Sequence, residues 1–217
     1  MTATTARSDA TRTDGVWWRP DRVSWWMGLL FAIGSACFAL AAIASQWASA
    51  PRPAIGVTFF VGSIFFTAAA YLQWRPASWE PRRIDWLAST IQLAGTLFFN
   101  VSTFEGMKRG FDAHQTNLRV WTPDVFGSIC FLVSSELAYA EVCHRWVCLR
   151  LRSLSWRIAA LNLVGSIAFG VSAVTSLIEP STQEPVSAVI ANAGTAIGAL
   201  CFLAGGVMLL PEAAHGG

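Results

Sequence analysis

The sequence predicts an all-α membrane protein whose six transmembrane helices form three tandem helical hairpins. Three observations predict it. First, 54% of the 217 residues are hydrophobic and only 13% are charged, against roughly a quarter charged in an ordinary soluble domain. Mean hydropathy is +0.47, and a soluble fold of this length has too little interior to hide so much apolar surface. Second, apolar runs of about 20 residues, the length a helix needs to cross a bilayer, recur six times. Third, those runs share residues at constant offsets.

Taken in order, residues 1–22 are Thr-, Arg- and Asp-rich. They contain no apolar core and no small-residue cleavage site, which predicts a disordered tail and no cleavable signal. Residues 23–211 form the six-helix domain, with hairpins 23–75, 84–143 and 154–210, and residues 212–217 form a short tail. The apolar runs are 24–50, 54–74, 86–104, 125–142, 158–178 and 185–210; the fourth is interrupted by Glu136 and Glu141. Glycine and alanine are spread around each run where neighbouring helices can approach, and Gly194 and Gly198 make a GxxxG match of the kind common in apolar helices. Pro51 and Pro53 in one connection and Pro180 in another stop helices, so both read as tight turns. The longest loop, 106–121, is polar and holds Lys108, Arg109, Asp112, His114 and Arg119.

Lysine and arginine set orientation. Arg7, Arg12, Arg19, Arg22, Arg75, Arg82, Arg83, Arg145, Arg150, Arg152 and Arg157 fall on the side of the N-terminus, and Arg52, Lys108, Arg109 and Arg119 on the other. Eleven against four places both ends in the cytoplasm of a bacterial inner membrane. The dominance of arginine over a single lysine fits a GC-rich bacterial genome. All 11 tryptophans fall at or near run ends, where indole is stable between headgroup and acyl chain. The cytoplasmic arginines also suit contact with anionic lipid.

The odd runs align without gaps. Trp25, Gly34, Ser35 and Phe38 coincide with Trp86, Gly95, Thr96 and Phe99, and with Trp156, Gly165, Ser166 and Phe169. The even runs align as well, Gly62 and Phe66 over Gly127 and Phe131 and over Gly198 and Phe202. A unit with an even number of crossings repeats in parallel, so a pseudo-threefold axis along the membrane normal is the expected packing. Each shared residue has a physical use. The tryptophan anchors an end, the Gly-Ser/Thr step admits a neighbouring backbone, and the phenylalanine fills the space beside the glycine.

The segment Phe60-Val-Gly-Ser-Ile-Phe-Phe66, the exit Tyr71-Leu-Gln-Trp-Arg-Pro76 and the preceding Phe31-Ala-Ile-Gly-Ser35 resemble the two-helix unit of the YrhK-like family of small bacterial membrane proteins. The resemblance covers residues 24–80 best. It implies a hairpin architecture and supplies no catalytic residue.

Ionisable and amide side chains at membrane depth are costly, about 2.5–3.5 kcal/mol for a charge at mid-span, and so are site candidates. Glu136 lies about seven residues from the end of its run, ~10 Å deep. Gln92 and Asn162 enter from the same side at equivalent repeat positions, so Glu136, Gln92 and Asn162 are expected to face one interior. Asn100, Ser102, Thr103 and Asn192 form a second candidate layer towards the other face. Two stacked layers suit a solute or proton path, and interhelical hydrogen bonding is the plainer use. Glu141, nearer the interface, is expected to snorkel or to pair with Arg145 at i+4.

Cys37, Cys130 and Cys201 lie inside apolar runs, and Cys143 and Cys148 show no disulfide framework. The Cys143-His144 to Cys148 spacing is no known zinc pattern, and neither metal nor cofactor is expected. A net charge of +2 gives no support to a nucleic-acid partner. Ser134-Ser135-Glu136 has no histidine base at its depth, which speaks against an intramembrane hydrolase. The Pro-x-acidic-x-x-basic signature of mitochondrial carriers, which also use three two-helix repeats, is absent from the odd runs. A non-catalytic membrane module is therefore the first expectation, and a small permeation pathway around Glu136 the second.

Overall fold

A computed structural model describes residues 17–47, 50–77 and 83–212. The tail before residue 17, Trp79, Arg82 and residues 213–217 lie outside the described residues. Six long helices make the fold: α1 (Val23–Trp47), α2 (Arg52–Ala77), α3 (Ile84–Gly106), α5 (Thr122–Cys143), α6 (Leu154–Thr175) and α7 (Ala188–Glu212). A four-residue α4 (Ala113–Thr116) and a π-helical turn (Asn117–Trp121) lead into α5. Among the described residues there is no strand, only an isolated bridge between Ile178 and Pro185.

Five of these segments are long and apolar enough to cross a membrane: α1, α2, the continuous 113–143 stretch, α6 and α7. They are compatible with a multi-pass membrane protein, because a helix satisfies its own backbone hydrogen bonds in lipid. The sixth expected span, α3, is 23 residues long and falls short on composition. Asp85, Gln92, Asn100 and several hydroxyls dilute its hydropathy.

Helix ends shift where local chemistry intervenes. Pro53 sits in the first turn of α2, where its missing N–H costs nothing. The last run was expected to start at residue 185, but α7 starts at Ala188. The 176–187 connection folds back on itself, with Glu179 N–H donating to Glu184 O at 2.8 Å and Val186 N–H to Leu177 O at 2.9 Å. The expected polar loop 106–121 is largely wound: Asp112 and Gln115 form a capping box on α4. The tryptophans are more than interface anchors. Trp25 and Trp156 are buried and pin the chain leading into their helices, donating to Trp17 O at 2.7 Å and to Cys148 O at 3.1 Å.

The helices close into a ring in chain order: α1 on α2, α2 on α3, α3 on α5, α5 on α6, α6 on α7, and α7 back on α1. Hereafter the end carrying the start of α1 is the tail face, and the opposite end is the loop face. Within each hairpin the two helices cross at glycine. A Cβ on Gly34 would sit 2.9 Å from Gly62 O and 2.9 Å from the Phe66 ring, and one on Gly62 would sit 3.0 Å from Gly34 O and 2.8 Å from the Phe38 ring. Gly165 and Gly198 face each other in the same reciprocal way, and the Phe99 ring lies over Gly127 and the Phe131 ring over Gly95. All six long helices thus carry one pattern, glycine followed four residues on by phenylalanine. Odd and even helices share it, which separate alignment of the two sets conceals.

These six phenylalanines are all buried and stack as two triangles on the ring axis. Phe38, Phe99 and Phe169 have centroids 6.4, 6.2 and 6.1 Å apart. Phe66, Phe131 and Phe202 have centroids 6.0, 5.9 and 5.6 Å apart. Each ring also meets its hairpin partner, at 5.5, 5.0 and 5.6 Å. Such pairs contribute about 0.5–1.5 kcal/mol each beyond simple burial. That matters in lipid, where helices gain little from the hydrophobic effect and associate by packing. Hydroxyl pairs tie neighbouring helices: Ser63 with Thr103 at 3.0 Å, Ser135 with Ser166 at 2.7 Å, and Ser172 with Thr195 at 2.7 Å.

The crossing defines a stability test. Gly34→Val puts side-chain atoms where Gly62 O and Phe66 already stand, so it is expected to cost about 1–3 kcal/mol and to lower the thermal midpoint in detergent. Gly170→Ala, where a Cβ meets nothing within 4 Å, should leave that midpoint unchanged or raise it.

Candidate functional site

The phenylalanine plug divides the ring interior into two blind cavities. The loop-face cavity has a volume of about 380 Å³ and its floor is Phe38, Phe99 and Phe169. The tail-face cavity has about 210 Å³ and is lined by Phe31 and Phe202. Between them, the space enclosed by the plug amounts to only about 10 Å³, room for no more than a single water.

Helical periodicity explains what lines them. Seven residues along a helix return to nearly the same face about 10 Å away. One such step from the plug towards the tail face reaches Phe31, Gln73, Gln92, Ala138, Asn162 and Leu209, and all six line the tail-face cavity. The step towards the loop face reaches Phe59, Gly106, Asp124, Ser176 and Thr195, and these line the loop-face cavity.

The expected polar residues divide accordingly. Gln92 and Asn162 share the tail-face cavity, and Asn162 Oδ1 lies only 2.8 Å from where a Cβ on Gly205 would stand. Glu136 does not join them. It follows Phe131 by five residues, about 140° around the helix, which puts it on the outer side with the exposed Ile129, Leu132 and Val133. The carboxylate in that cavity is Glu141 instead. Glu141 makes no pair with Arg145, because α5 ends at Cys143 with His144 in the left-handed conformation, φ 54°. Arg145 has then left the helix, and i+4 spacing no longer applies. In the second expected layer, Ser102, Thr103 and Asn192 line the loop-face cavity. Asn100 turns aside, its Nδ2 donating to Thr67 Oγ1 at 2.8 Å between α2 and α3. Asn192 Nδ2 also donates to Gln46 Oε1 at 3.3 Å.

Asp124 is the residue that sequence reasoning missed. It stands just before the fourth apolar run, where a charge reads as an interface residue. The π turn and Pro123 carry the helix on through it, so it comes to lie in the cavity wall. Among the described residues no donor and no cation reaches its carboxylate. Of the loop-face cations, Lys108 and Arg119 both pair with Glu105. The heptad offset from Phe131 is the signal that would have found it.

The roof of this cavity is stapled. Asn117 Nδ2 donates to Ile178 O at 2.7 Å, and Ile178 N–H donates to Asn117 Oδ1 at 2.9 Å. Trp121 Nε1 donates to Ala173 O at 2.8 Å, and Ala113 N–H donates to Gln183 Oε1 at 2.9 Å. Two of the three loop-face connections, 106–121 and 176–187, are thereby joined.

Cys143 and Cys148, expected to be unpaired, form a disulfide with Cα atoms 5.5 Å apart. The left-handed His144 turns the chain back within five residues, and Cys148 O is held by Tyr139 Oη at 2.6 Å. No cluster of three or more histidine, cysteine or acidic residues suited to a metal occurs among the described residues. Comparison with protein-family models, with curated proteins and with solved structures found no match. The fold and its cavities define the class: a ring of six long helices with an aromatic plug at its centre and, at each end, a mainly apolar pocket with a few polar groups in its wall.

The disulfide is open to direct test. Alkylation of the purified, air-oxidised chain, unfolded without reductant, should add at most three groups, at Cys37, Cys130 and Cys201. After reduction, intact mass should show five.

Proposed function

We propose that the chain is a non-catalytic, six-span module of a bacterial inner membrane, built from three repeated hairpins, that binds small solutes in the cavities at either end of its ring. The observation that carries this reading is the plug: six equivalent phenylalanines, two triangles deep, separate two pockets that each carry a few polar groups in a mainly apolar wall. The triangles and the shared glycine crossings support a pseudo-threefold repeat, and the resemblance of residues 24–80 to the YrhK-like unit supports the hairpin as its element. Counting α3 as a span follows from its place in the ring between α2 and α5. Its amides turn inward or to a neighbouring helix, as a bundle member's do.

A second reading, an occluded solute path, is favoured by one observation: the cavities lie on a common axis on opposite sides of the plug. Glu136 has no part in it, since it faces outwards.

The 144–153 connection supports contact with lipid headgroups. Trp146, Val147, Leu149 and Leu151 are exposed beside Arg145, Arg150 and Arg152, a mix that suits an anionic interface. The charge count supports a cytoplasmic tail face. The cytosol keeps thiols reduced, so under this orientation Cys143 and Cys148 are dithiol in the cell and join on oxidation.

Two measurements check the reading. In a cysteine-free background, Asn162→Cys and Ser176→Cys should react with a membrane-impermeant thiol reagent from opposite sides of the membrane, while Phe131→Cys reacts from neither. Labelling of Phe131→Cys, or labelling of both cavity positions from one side, would exclude it. For orientation, alkylation inside intact cells should find Cys143 and Cys148 free; a bond already formed there would place the tail face outside.

A further inference from the structure

We propose that the loop-face cavity is a binding site for an organic ammonium ion, with Asp124 as its counter-ion and the surrounding aromatic rings as its walls. The proposal rests on the membrane-embedded reading above and adds the chemistry of the ligand.

The charge in the cavity is unbalanced. Among the described residues Asp124 is its only ionisable lining residue, and no lysine, arginine or histidine of theirs contributes to the wall. A half-buried carboxylate with no cation beside it is costly, and Lys108 and Arg119 of the 106–121 connection pair with Glu105. A bound cation would supply what the protein withholds.

The walls choose which cation. Phe38, Phe59, Phe99, Trp121 and Phe169 all border the space. Aromatic faces attract ammonium groups, by about 0.5–2 kcal/mol each depending on desolvation. Hard metal ions instead require six or more oxygen ligands, and the cavity offers one carboxylate among scattered hydroxyls. Its hydroxyls are partly committed to the fold, Ser172 to Thr195 and to Ala191 O. The volume of about 380 Å³ falls in the range of small-molecule pockets, roughly 300–1,000 Å³, so it admits an amine carrying a substantial apolar group. The tail-face cavity differs in having three amides, Gln73, Gln92 and Asn162, beside its carboxylate and only two aromatic rings, Phe31 and Phe202, in its wall. The ammonium chemistry is therefore specific to the loop face.

The test uses the purified full chain in nonionic detergent. Choline and benzyltrimethylammonium are titrated at matched ionic strength, with dimethylbutanol as the uncharged carbon analogue of choline. Thermal midpoint and tryptophan fluorescence report binding. At least one ammonium ion should stabilise the protein saturably, and dimethylbutanol should not. Asp124→Asn, which keeps the shape and removes the charge, should weaken binding by about tenfold or more. Phe59→Leu should weaken it by about two- to fivefold, and Glu136→Gln on the outer face should leave it unchanged. The proposal is overturned if neither ammonium ion binds, if dimethylbutanol binds as well, or if Asp124→Asn binds like the native chain. Should Asp124→Asn fail to assemble, the ammonium-against-alcohol comparison and Phe59→Leu decide. Vesicles separate the sources of the cation. Competition from phosphatidylethanolamine but not phosphatidylglycerol identifies a lipid headgroup, and equal binding in both identifies a free amine. Carbonate extraction of the native chain from membranes tests the membrane reading independently of any binding result.

Discussion

The glycine crossing inside each hairpin is the contact on which the rest of the structure depends. Two helices can approach until the carbonyl of one touches the backbone of the other only where neither carries a Cβ, and Gly34 with Gly62 and Gly165 with Gly198 meet in this way. The approach does more than join two helices. It brings each phenylalanine, one turn further on, over the partner's glycine and towards the ring axis. The rings then have nowhere to lie except against one another. In lipid, where apolar side chains gain nothing by leaving their surroundings, close packing of this kind supplies most of what holds helices together.

From that plug the chemistry of both ends follows by periodicity. A residue seven positions from a plug phenylalanine shares its inward face, and eleven of the twelve such positions line a cavity, Ser45 being the exception, so the residues chosen there decide what each cavity is. On the tail side those choices include Gln73, Gln92 and Asn162; on the loop side they include Asp124, Ser176 and Thr195. The same periodicity removes Glu136 from the interior, since a five-residue step turns it outwards. A carboxylate inside a membrane helix draws notice whichever way it points, and depth alone says nothing about facing.

The two ends are closed by different means. On the loop face, side chains fasten backbone to backbone: Asn117 clasps Ile178, and Gln183 receives the start of α4. On the tail face, a covalent bond and indole hydrogen bonds do the work, with Cys148 at the centre, linked to Cys143 and accepting from both Tyr139 and Trp156. The loop-face clasp depends on local hydrogen bonds that a ligand's arrival could displace, whereas the tail-face closure depends on redox state.

Much of the architecture was legible in the residues. Composition points to membrane helices, run length marks them, and proline, glycine and tryptophan mark their ends. The Gly-to-Phe spacing was visible in odd and even runs separately, because packing against a close neighbour demands a missing side chain at a fixed offset. What the sequence by itself determined is the set of local rules, helix, turn and contact face. The tertiary structure alone decided ring closure of α7 on α1, the place of Asp124 and not Glu136 in a cavity wall, and the pairing of Cys143 with Cys148. The reason is physical: which way a helix faces depends on its rotation against two neighbours, and a turn such as that at His144 depends on one backbone angle. Neither is encoded in the polarity of any single residue.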